Sequence, residues 1–285
     1  MTAAILDGIV LGLQFGVLAV GLTLVYGLGG VLNLAHGQMT VVVALVVSLT
    51  MAAGIPAGWA VIIGLAVGGA FGLLLDTTLL RPVYRRHGEA RVLLSLLLTL
   101  GVAFLVDGLL TWRYPAEALS LHIGGDSLRI LGVPMRTGSL LASAIAFAAF
   151  VALFLLFRGT VLGKAIRSII QDEEGARIVG IDPARMRTLI LVLSGVLAGL
   201  VAVTRSMTSP VTMTEGVSFT IFALIVTVVG GLGSVAGAFL AGVILGIVNT
   251  VSTFYIGTYV TYIILLGAAA LTILVRPSGL LGVRE

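Results

Sequence analysis

Nine apolar runs follow one another along this chain, separated by short polar or basic segments. A helix needs about 20 mainly apolar residues to cross the hydrocarbon core of a bilayer. The run before GGLG is short and could be a half-span, so the expected number of spans is eight or nine. The predicted spans are Ile5–Leu28, Gln38–Ala53, Ala57–Leu80, Val92–Trp112, Leu140–Phe157, Thr188–Arg205, Val217–Gly231, Ala236–Phe254 and Thr258–Val275.

Composition supports the same fold class. The chain is 59% hydrophobic and only 10% charged, whereas soluble domains carry about 25% charged residues. It has no cysteine, which excludes disulfides, thiolate metal ligands and a cysteine nucleophile. The expected fold is an all-α, polytopic membrane protein forming a single transmembrane domain over residues 1–285.

Two basic loops set the expected orientation. Leu80–Arg91 and Arg158–Arg187 hold most of the cationic residues, and the positive-inside rule places both in the cytoplasm. We interpret this charge as a topology signal rather than a nucleic-acid surface. The loop Arg113–Gly138 is then external and is expected to form a short hairpin. Nine passes would place the N-terminus outside.

The stretch Leu22–Ser48 begins as a span and is broken by glycines. Non-helical backbone at membrane depth is tolerated only where protein or a water-filled cavity satisfies its polar groups. A solute path is therefore expected at this break. Its polar insert consists of Asn33, His36 and Gln38.

A second glycine-rich break, Val229–Phe239, weakly repeats the pattern of Tyr26–Met39, in which glycines precede an apolar run. Glycine-interrupted segments at corresponding positions in two halves point to a transport site. Gly230, Gly231 and Gly233 are therefore further candidates for the path.

Small residues also recur at four-residue spacing, which lets helix backbones approach closely. Packing inside one bundle is the favoured interpretation, and packing between subunits is the alternative. The residues are Gly12, Gly16, Gly64, Gly68, Gly72, Gly195, Gly199, Gly242 and Gly246.

Isolated polar residues give weaker indications. Asp7 and Asp76 lie near span ends and are assigned structural roles, whereas the deeper Asp107 stays open. His36 is expected to be a hydrogen-bonded structural residue. His87 and His122 lie in loops on opposite sides, so no histidine cluster is predicted to bind a metal.

The chain carries no pattern of an enzyme. HExxH and GxSxG motifs are absent. Gly159–Ala165 (GTVLGKA) has one residue too few between its glycines for a phosphate loop, and alanine replaces the magnesium-binding Ser or Thr. We therefore expect no ATPase site and no bound cofactor in this chain.

The loop Arg158–Arg187 has helical periodicity. Ile166, Ile169 and Ile170 share one predicted face, opposite charged residues. A second short element follows at Gly175–Gly180, and Asp182–Pro183 is typical of a helix start. The loop is either a helix lying on the membrane surface or a docking element for a cytoplasmic partner.

Several motifs together resemble the LivH-type permeases of branched-chain amino-acid ATP-binding-cassette importers. The resemblance runs through the whole chain in order. EGARIVG follows the E-A-A-x-x-x-G spacing of the family's coupling loop, with glycine at the second position. The supporting motifs are NLAHGQM (33–39), RPVYRR (81–86), GKAIRSIIQDEEGARIVGID (163–182), LSGVLAGL (193–200), VVGGLGSVAGA (228–238) and RPSGLLG (276–282).

This resemblance implies a multi-pass subunit of the bacterial plasma membrane. It would pair with a homologous LivM-type permease, two cytoplasmic ATPases that bind ATP and magnesium, and an external solute-binding protein. The implied ATPase-coupling residues are Gly163, Lys164, Arg167, Glu174, Gly175, Ala176 and Gly180.

The substrate is left open by the sequence. Branched-chain or other hydrophobic amino acids fit the apolar path, but related permeases are proposed to carry urea and short amides, and distant ones sugars. The glycine-broken helices alone would also suit a stand-alone channel or a secondary transporter, which would have no evident need for the Gly163–Gly180 loop.

Overall fold

A computed structural model describes residues 1–121, 127–130 and 132–282, and most of this part is helical. A π-helical turn, Asp76–Leu80, joins α3 to α4. The helices are α1 Thr2–Gly29, α2 His36–Ala52, α3 Ala57–Leu75, α4 Arg81–Val83, α5 Glu89–Arg113, α6 Thr137–Gly159, α7 Val161–Gln171, α8 Glu173–Ile178, α9 Pro183–Ser206, α10 Gly216–Gly230, α11 Val235–Ile256 and α12 Thr258–Val275.

All nine predicted runs are helices, which confirms the all-α polytopic fold. Seven helical segments in the described part of the chain are long and apolar enough to cross a membrane. The other two, α2 and α10, have 17 and 15 residues and reach only about 22–26 Å at 1.5 Å per residue. Helix α10 is therefore as short as the half-span expected at Val217–Gly231, and α2 is a second apolar helix of similar length.

Helix α1 forms the centre of the bundle and packs antiparallel against α11 through glycines. A Cβ atom on Gly12 would lie 2.6 Å from the Cα of Val243, and one on Gly246 only 2.3 Å from the Cα of Gly12. Helices α3 and α9 meet in the same way, since a Cβ on Gly195 would lie 2.0 Å from the carbonyl oxygen of Gly68. The four-residue glycine spacing thus packs helices within this subunit, as expected.

Helices α5, α6 and α12 lie at the periphery. In the most apolar 18-residue window of each helix, 17% of α5 and of α12 is buried, against 83% of α1. Large apolar side chains such as Leu97 and Phe104 are exposed there. These faces suit lipid or another membrane subunit.

Short β-structures lie at the opposite end of the bundle from the basic loops. Strand β1 (Ala118–Leu119) pairs with β4 (Val211–Thr212), and β2 (Leu128–Ile130) pairs with β3 (Val133–Met135). The second pair confirms the hairpin predicted in the external loop. The first pair was not predicted, and His122 lies outside the described residues.

Candidate translocation and coupling site

The break after α1 is held by hydroxyl groups of α5. Gly30 ends α1 in the left-handed conformation, with φ +60°. Beyond it, the amide N–H of Leu32 donates to Ser95 Oγ (3.2 Å) and that of Leu34 to Thr99 Oγ1 (3.0 Å). Two residues of extended chain advance about 6–7 Å, and so do four residues of an α-helix. Leu32 and Leu34 can therefore each reach a hydroxyl on α5, because Ser95 and Thr99 are four residues apart. The sequence did not single out either hydroxyl.

Asn33 turns the chain into α2. Its Oδ1 accepts the N–H of Ala35 at 3.0 Å, and its carbonyl oxygen accepts the N–H of His36 at 3.3 Å. Asparagine favours such turns because its side chain can replace a backbone acceptor. The polar insert thus starts a helix inside the bundle.

His36 connects this helix start to α1 and α9. Its Nε2 lies 3.0 Å from the carbonyl oxygen of Leu18, and its Nδ1 lies 3.3 Å from Ser194 Oγ. A carbonyl only accepts, so Nε2 carries the hydrogen and Nδ1 accepts from the serine. Gly21 leaves space for the ring, because a Cβ there would lie 3.1 Å from it. His36 is fully buried and hydrogen-bonded, as expected, and its role in the path stays a prediction.

Helix α10 closes the other side of the insert. The N–H of Gly37 donates to Thr220 Oγ1 at 2.9 Å. Gln38 Nε2 donates to Asp107 Oδ1 at 3.3 Å, and a Cβ on Gly216 would lie 2.3 Å from the Gln38 side chain. Asp107, whose role the sequence left open, is therefore a half-buried hydrogen-bond partner of Gln38.

The structure does not bring the two predicted parts of the path together. Asn33, His36 and Gln38 are fully buried where α2 begins, near the first residues of α10. Gly230 is the last residue of α10, about 15–21 Å along its axis from Thr220 and Gly216, and Gly231 and Gly233 follow it. There Gly233 approaches Gly27.

The glycines of the second break pack against a C-terminal segment, Ser278–Gly282. The N–H of Leu280 donates to the carbonyl of Val229 at 2.9 Å, and that of Leu281 to Gly230 at 3.2 Å. Gly231 has φ +106°, and a Cβ there would lie 2.5 Å from the carbonyl oxygen of Ser278. A role in the path for these glycines stays a prediction.

Each helix of the predicted coupling loop is capped by a side chain. Thr160 accepts from Gly163 N at the start of α7, Asp172 from Glu174 N at α8, and Asp182 from Ala184 N at α9. A cap of this kind satisfies a backbone donor that the helix leaves free. The helix start predicted at Asp182–Pro183 is confirmed.

The apolar side of α7 packs inside the subunit. Ile166 and Ile169 are each 4% exposed, so they are not free to enter a bilayer, and this disfavours the membrane-surface interpretation. Ile170 was predicted on the same face but is 51% exposed, because only the stripe through Gly163, Ile166 and Ile169 is covered.

Local geometry accounts for three coupling-loop glycines. A Cβ on Gly163 would lie 1.9 Å from the carbonyl oxygen of Phe157, and one on Gly175 would lie 2.5 Å from the capping carboxylate of Asp172. Gly180 has φ +86° and ends α8 in a Schellman motif, which favours glycine. The other predicted residues are exposed (Lys164, Arg167, Glu174) or buried (Ala176).

A series of polar contacts connects α8 to the break after α1. Glu173 pairs with Arg187, whose guanidinium lies 4.7 Å from the centre of the Tyr84 ring. Arg91 in turn donates to the carbonyl oxygens of Tyr84 (3.1 Å) and Gly29 (3.2 Å). We call these residues (Glu173, Arg187, Tyr84, Arg91) the cytoplasmic relay, after the side of the membrane predicted for their loops. In the sequence, the only indication of this relay is that all four residues lie in the two basic loops.

Burial reinforces the neutral state of the relay's tyrosine, which a phenol with an ordinary pKa of about 10 already has at pH 7. It raises the pKa of the Tyr84 hydroxyl above its ordinary value, and the charge of Asp76 adds to the rise. Tyr84 is therefore a neutral group between Arg187 and Arg91. The relay also brings both predicted basic loops to the same end of the bundle, as their shared cytoplasmic assignment requires.

These features are those of a membrane-embedded transport subunit: a bundle with a broken span, linked by polar contacts to the short helices α7 and α8 of the predicted coupling loop. No group of three His, Asp or Glu side chains able to hold a metal ion occurs within the described ranges.

Comparison with known proteins specifies the class further. Residues 4–275 match the family described as branched-chain amino acid transport system / permease component. The chain is 25% identical over 292 residues to the high-affinity branched-chain amino acid transport system permease protein LivH of Escherichia coli (strain K12), covering 97% of this chain and 94% of LivH. It is 26% identical over 295 residues to BraD of Pseudomonas aeruginosa, covering 98% and 94%.

The fold also has a solved counterpart. PsaBC from Streptococcus pneumoniae, in complex with Fab, superposes with a TM-score of 0.53 at 13% identity, covering 95% of this chain and 91% of that one. The likeness at this identity concerns the fold alone. The family match spans almost the whole sequence, and the chain belongs to the branched-chain amino acid transport system permease family.

Proposed function

We propose that this chain is the permease subunit of an importer for branched-chain or other aliphatic amino acids, driven by separate ATPase subunits. Family membership supports the permease role. The names of LivH and BraD support the substrate class.

The proposed complex contains more than this chain. A second, homologous LivM-type permease would complete the pathway, two cytoplasmic ATPases would bind ATP and magnesium, and an external solute-binding protein would deliver the substrate. The whole chain, residues 1–285, would act as one permease domain in the bacterial plasma membrane.

The cytoplasmic relay is the observation that carries the mechanism. Ile178 and Val179, at the end of α8, are 86% and 74% exposed, which suits contact with a partner protein. Closure of the ATPases on ATP would move α7 and α8. The pair Glu173–Arg187 and the contacts of Tyr84 and Arg91 would pass that motion to Gly29, where the broken segment begins.

In this mechanism the polar insert shapes the path from inside the subunit. Asn33, His36 and Gln38 would hold the start of α2 in place while the permease pair rocks between inward-open and outward-open states. A solute with an apolar side chain fits walls of Val, Leu and Phe, and the dipoles of broken helix ends favour its charged groups.

The test compares two glycines of the coupling loop. Gly180→Val forces a β-branched residue into φ +86°, a region such residues rarely adopt. Gly159→Val is the control, because no atom lies within 4 Å of a Cβ there and its φ is not positive. Each variant is expressed in a strain that lacks the native chain, and uptake of radiolabelled L-leucine and ATP hydrolysis by the purified complex are measured.

We expect Gly180→Val to abolish leucine uptake while ATP hydrolysis and assembly persist, and Gly159→Val to transport normally. Normal uptake by Gly180→Val would refute the coupling assignment. Uptake of urea in place of leucine would support the alternative substrate class. Uptake that continues after deletion of the partner ATPases would refute the importer and favour a stand-alone channel or secondary transporter.

A further inference from the structure

A polar cavity lies at the end of the bundle opposite the basic loops, on the side of the predicted external loop. Its volume is about 440 Å³, within the range of about 300–1,000 Å³ usual for small-molecule sites. Residues from α1, α6, α9 and α11 line it, together with strand β3. The coupling loop and the cytoplasmic relay have no part in it.

The cavity contains both signs of charge without ion pairs. Arg136, Arg205 and Asp7 line it, and none of them is joined to an opposite charge by a salt bridge within the described residues. Arg205 donates to Thr208 Oγ1 at 3.1 Å, but its buried Nε has no partner there. Glu215 lies near enough to act on the Arg205 charge without pairing with it.

A buried amide adds a further unused acceptor. Gln14 lines the cavity and is fully buried. Its Nε2 donates to the carbonyl oxygen of Thr204 at 3.1 Å, which leaves Oε1 without a partner among the described atoms. Buried polar atoms are normally hydrogen-bonded, so the Gln14 amide oxygen is available to accept a hydrogen bond from a molecule in this cavity.

Asp7 and Gln14 are seven residues apart on α1 and therefore lie on one face of the helix. Val10, Leu11 and Met135 supply apolar wall beside them. Cationic, anionic and apolar groups thus surround one cavity, which matches a small molecule that carries a carboxylate, an ammonium group and an aliphatic side chain.

We propose that this outer cavity binds an aliphatic α-amino acid as a zwitterion before it enters the path. Arg205 and Arg136 face its carboxylate, while Asp7 and the Gln14 amide oxygen face its ammonium group. A guanidinium matches a carboxylate in geometry as well as in charge. This inference rests on the import function proposed above and adds a site to it.

The test uses the assembled importer, purified without its external binding protein, and equilibrium dialysis with tritiated L-leucine. Two leucine analogues serve as probes: 4-methylpentanoate, which lacks the ammonium group, and 3-methylbutylamine, which lacks the carboxylate. Arg205→Gln and Asp7→Asn are compared with Arg113→Gln, an exposed arginine that is not among the residues lining the cavity.

We expect the wild type and Arg113→Gln to bind leucine alike and Arg205→Gln to bind it at least tenfold more weakly. Asp7→Asn should weaken leucine binding about fivefold and leave 4-methylpentanoate unchanged. Asp7 is exposed, so this variant keeps the test decisive even where Arg205→Gln fails to fold.

Leucine binding equal in Asp7→Asn and Arg113→Gln would overturn the site, as would an absence of binding to the wild type. Leucine uptake is also measured in proteoliposomes supplied with the binding protein. This measurement distinguishes a failure of the cavity proposal from a failure of the proposed import function. Leucine uptake without binding at the cavity refutes only this inference, whereas a complex that imports urea but not leucine refutes the proposed function.

Discussion

The hydroxyl of Thr99 gives a direct test of how the broken segment is held. Its Oγ1 accepts the Leu34 N–H at 3.0 Å and donates to the Ser95 carbonyl of its own helix at 2.7 Å. Thr99→Val keeps the side-chain shape but removes the acceptor. The control is Thr272→Val, because the Thr272 hydroxyl only donates to the Ala268 carbonyl of its own helix.

The expected loss of stability comes from one backbone donor, the N–H of Leu34, which loses its acceptor in Thr99→Val. Leaving a buried N–H without a partner costs about 1–3 kcal/mol, and water is scarce at membrane depth to replace the acceptor. Thr99→Val should therefore raise the unfolding equilibrium constant about 5- to 150-fold. Thr272→Val should change the free energy of unfolding by no more than about 0.5 kcal/mol.

Denaturant titration of the purified protein in mixed micelles, followed by circular dichroism, measures both variants under one protocol. The helix propensities of Thr and Val nearly cancel in this comparison. Equal free energies of unfolding for the two variants would show that Thr99 is not the acceptor on which the break depends.

Two further substitutions test the packing and the polar insert. Gly12→Ala should cost about 1–3 kcal/mol of stability, because its Cβ would lie 2.6 Å from the Cα of Val243, whereas Gly267→Ala, with no atom within 4 Å, should not destabilise; thermal unfolding of the two variants checks this. His36→Ala should cost at least about 2 kcal/mol and reduce uptake, since it opens a cavity and leaves buried polar groups unpaired. The exposed His87→Ala should do neither, and equal, negligible effects on uptake and stability would show that His36 is dispensable.

The apolar runs and the helix-capping residues of the sequence were enough to predict the long helices. All nine apolar runs, the helix start at Asp182–Pro183 and the hairpin predicted within Arg113–Gly138 occur in the structure. These features are local: run length decides whether a helix spans, and a capping side chain acts within three residues of itself. The family resemblance was likewise confirmed by the match over residues 4–275.

The site was less predictable because its partners are distant in sequence. Ser95 and Thr99 lie in a leucine-rich run, where a hydroxyl can bond to its own helix and gives no sign of a second partner. The contacts of His36 join residues 18 and 158 positions apart. Glycine breaks could be located, but the sequence could not show that the second one packs against the C-terminal segment.

The packing of α1 on α11 has a consequence for the way this subunit moves. The main chains of the two helices pack directly against each other at Gly8 and Gly12, with the Phe239 side chain beside Gly16. Few side-chain atoms therefore lie between the helices that could repack during sliding. The two helices should therefore behave as one rigid body through the transport cycle. Relative displacement must then occur elsewhere, in α7 and α8 and in the sparsely packed α5, α6 and α12. Spin-label distances should vary between these helices and α1 but stay constant between α1 and α11.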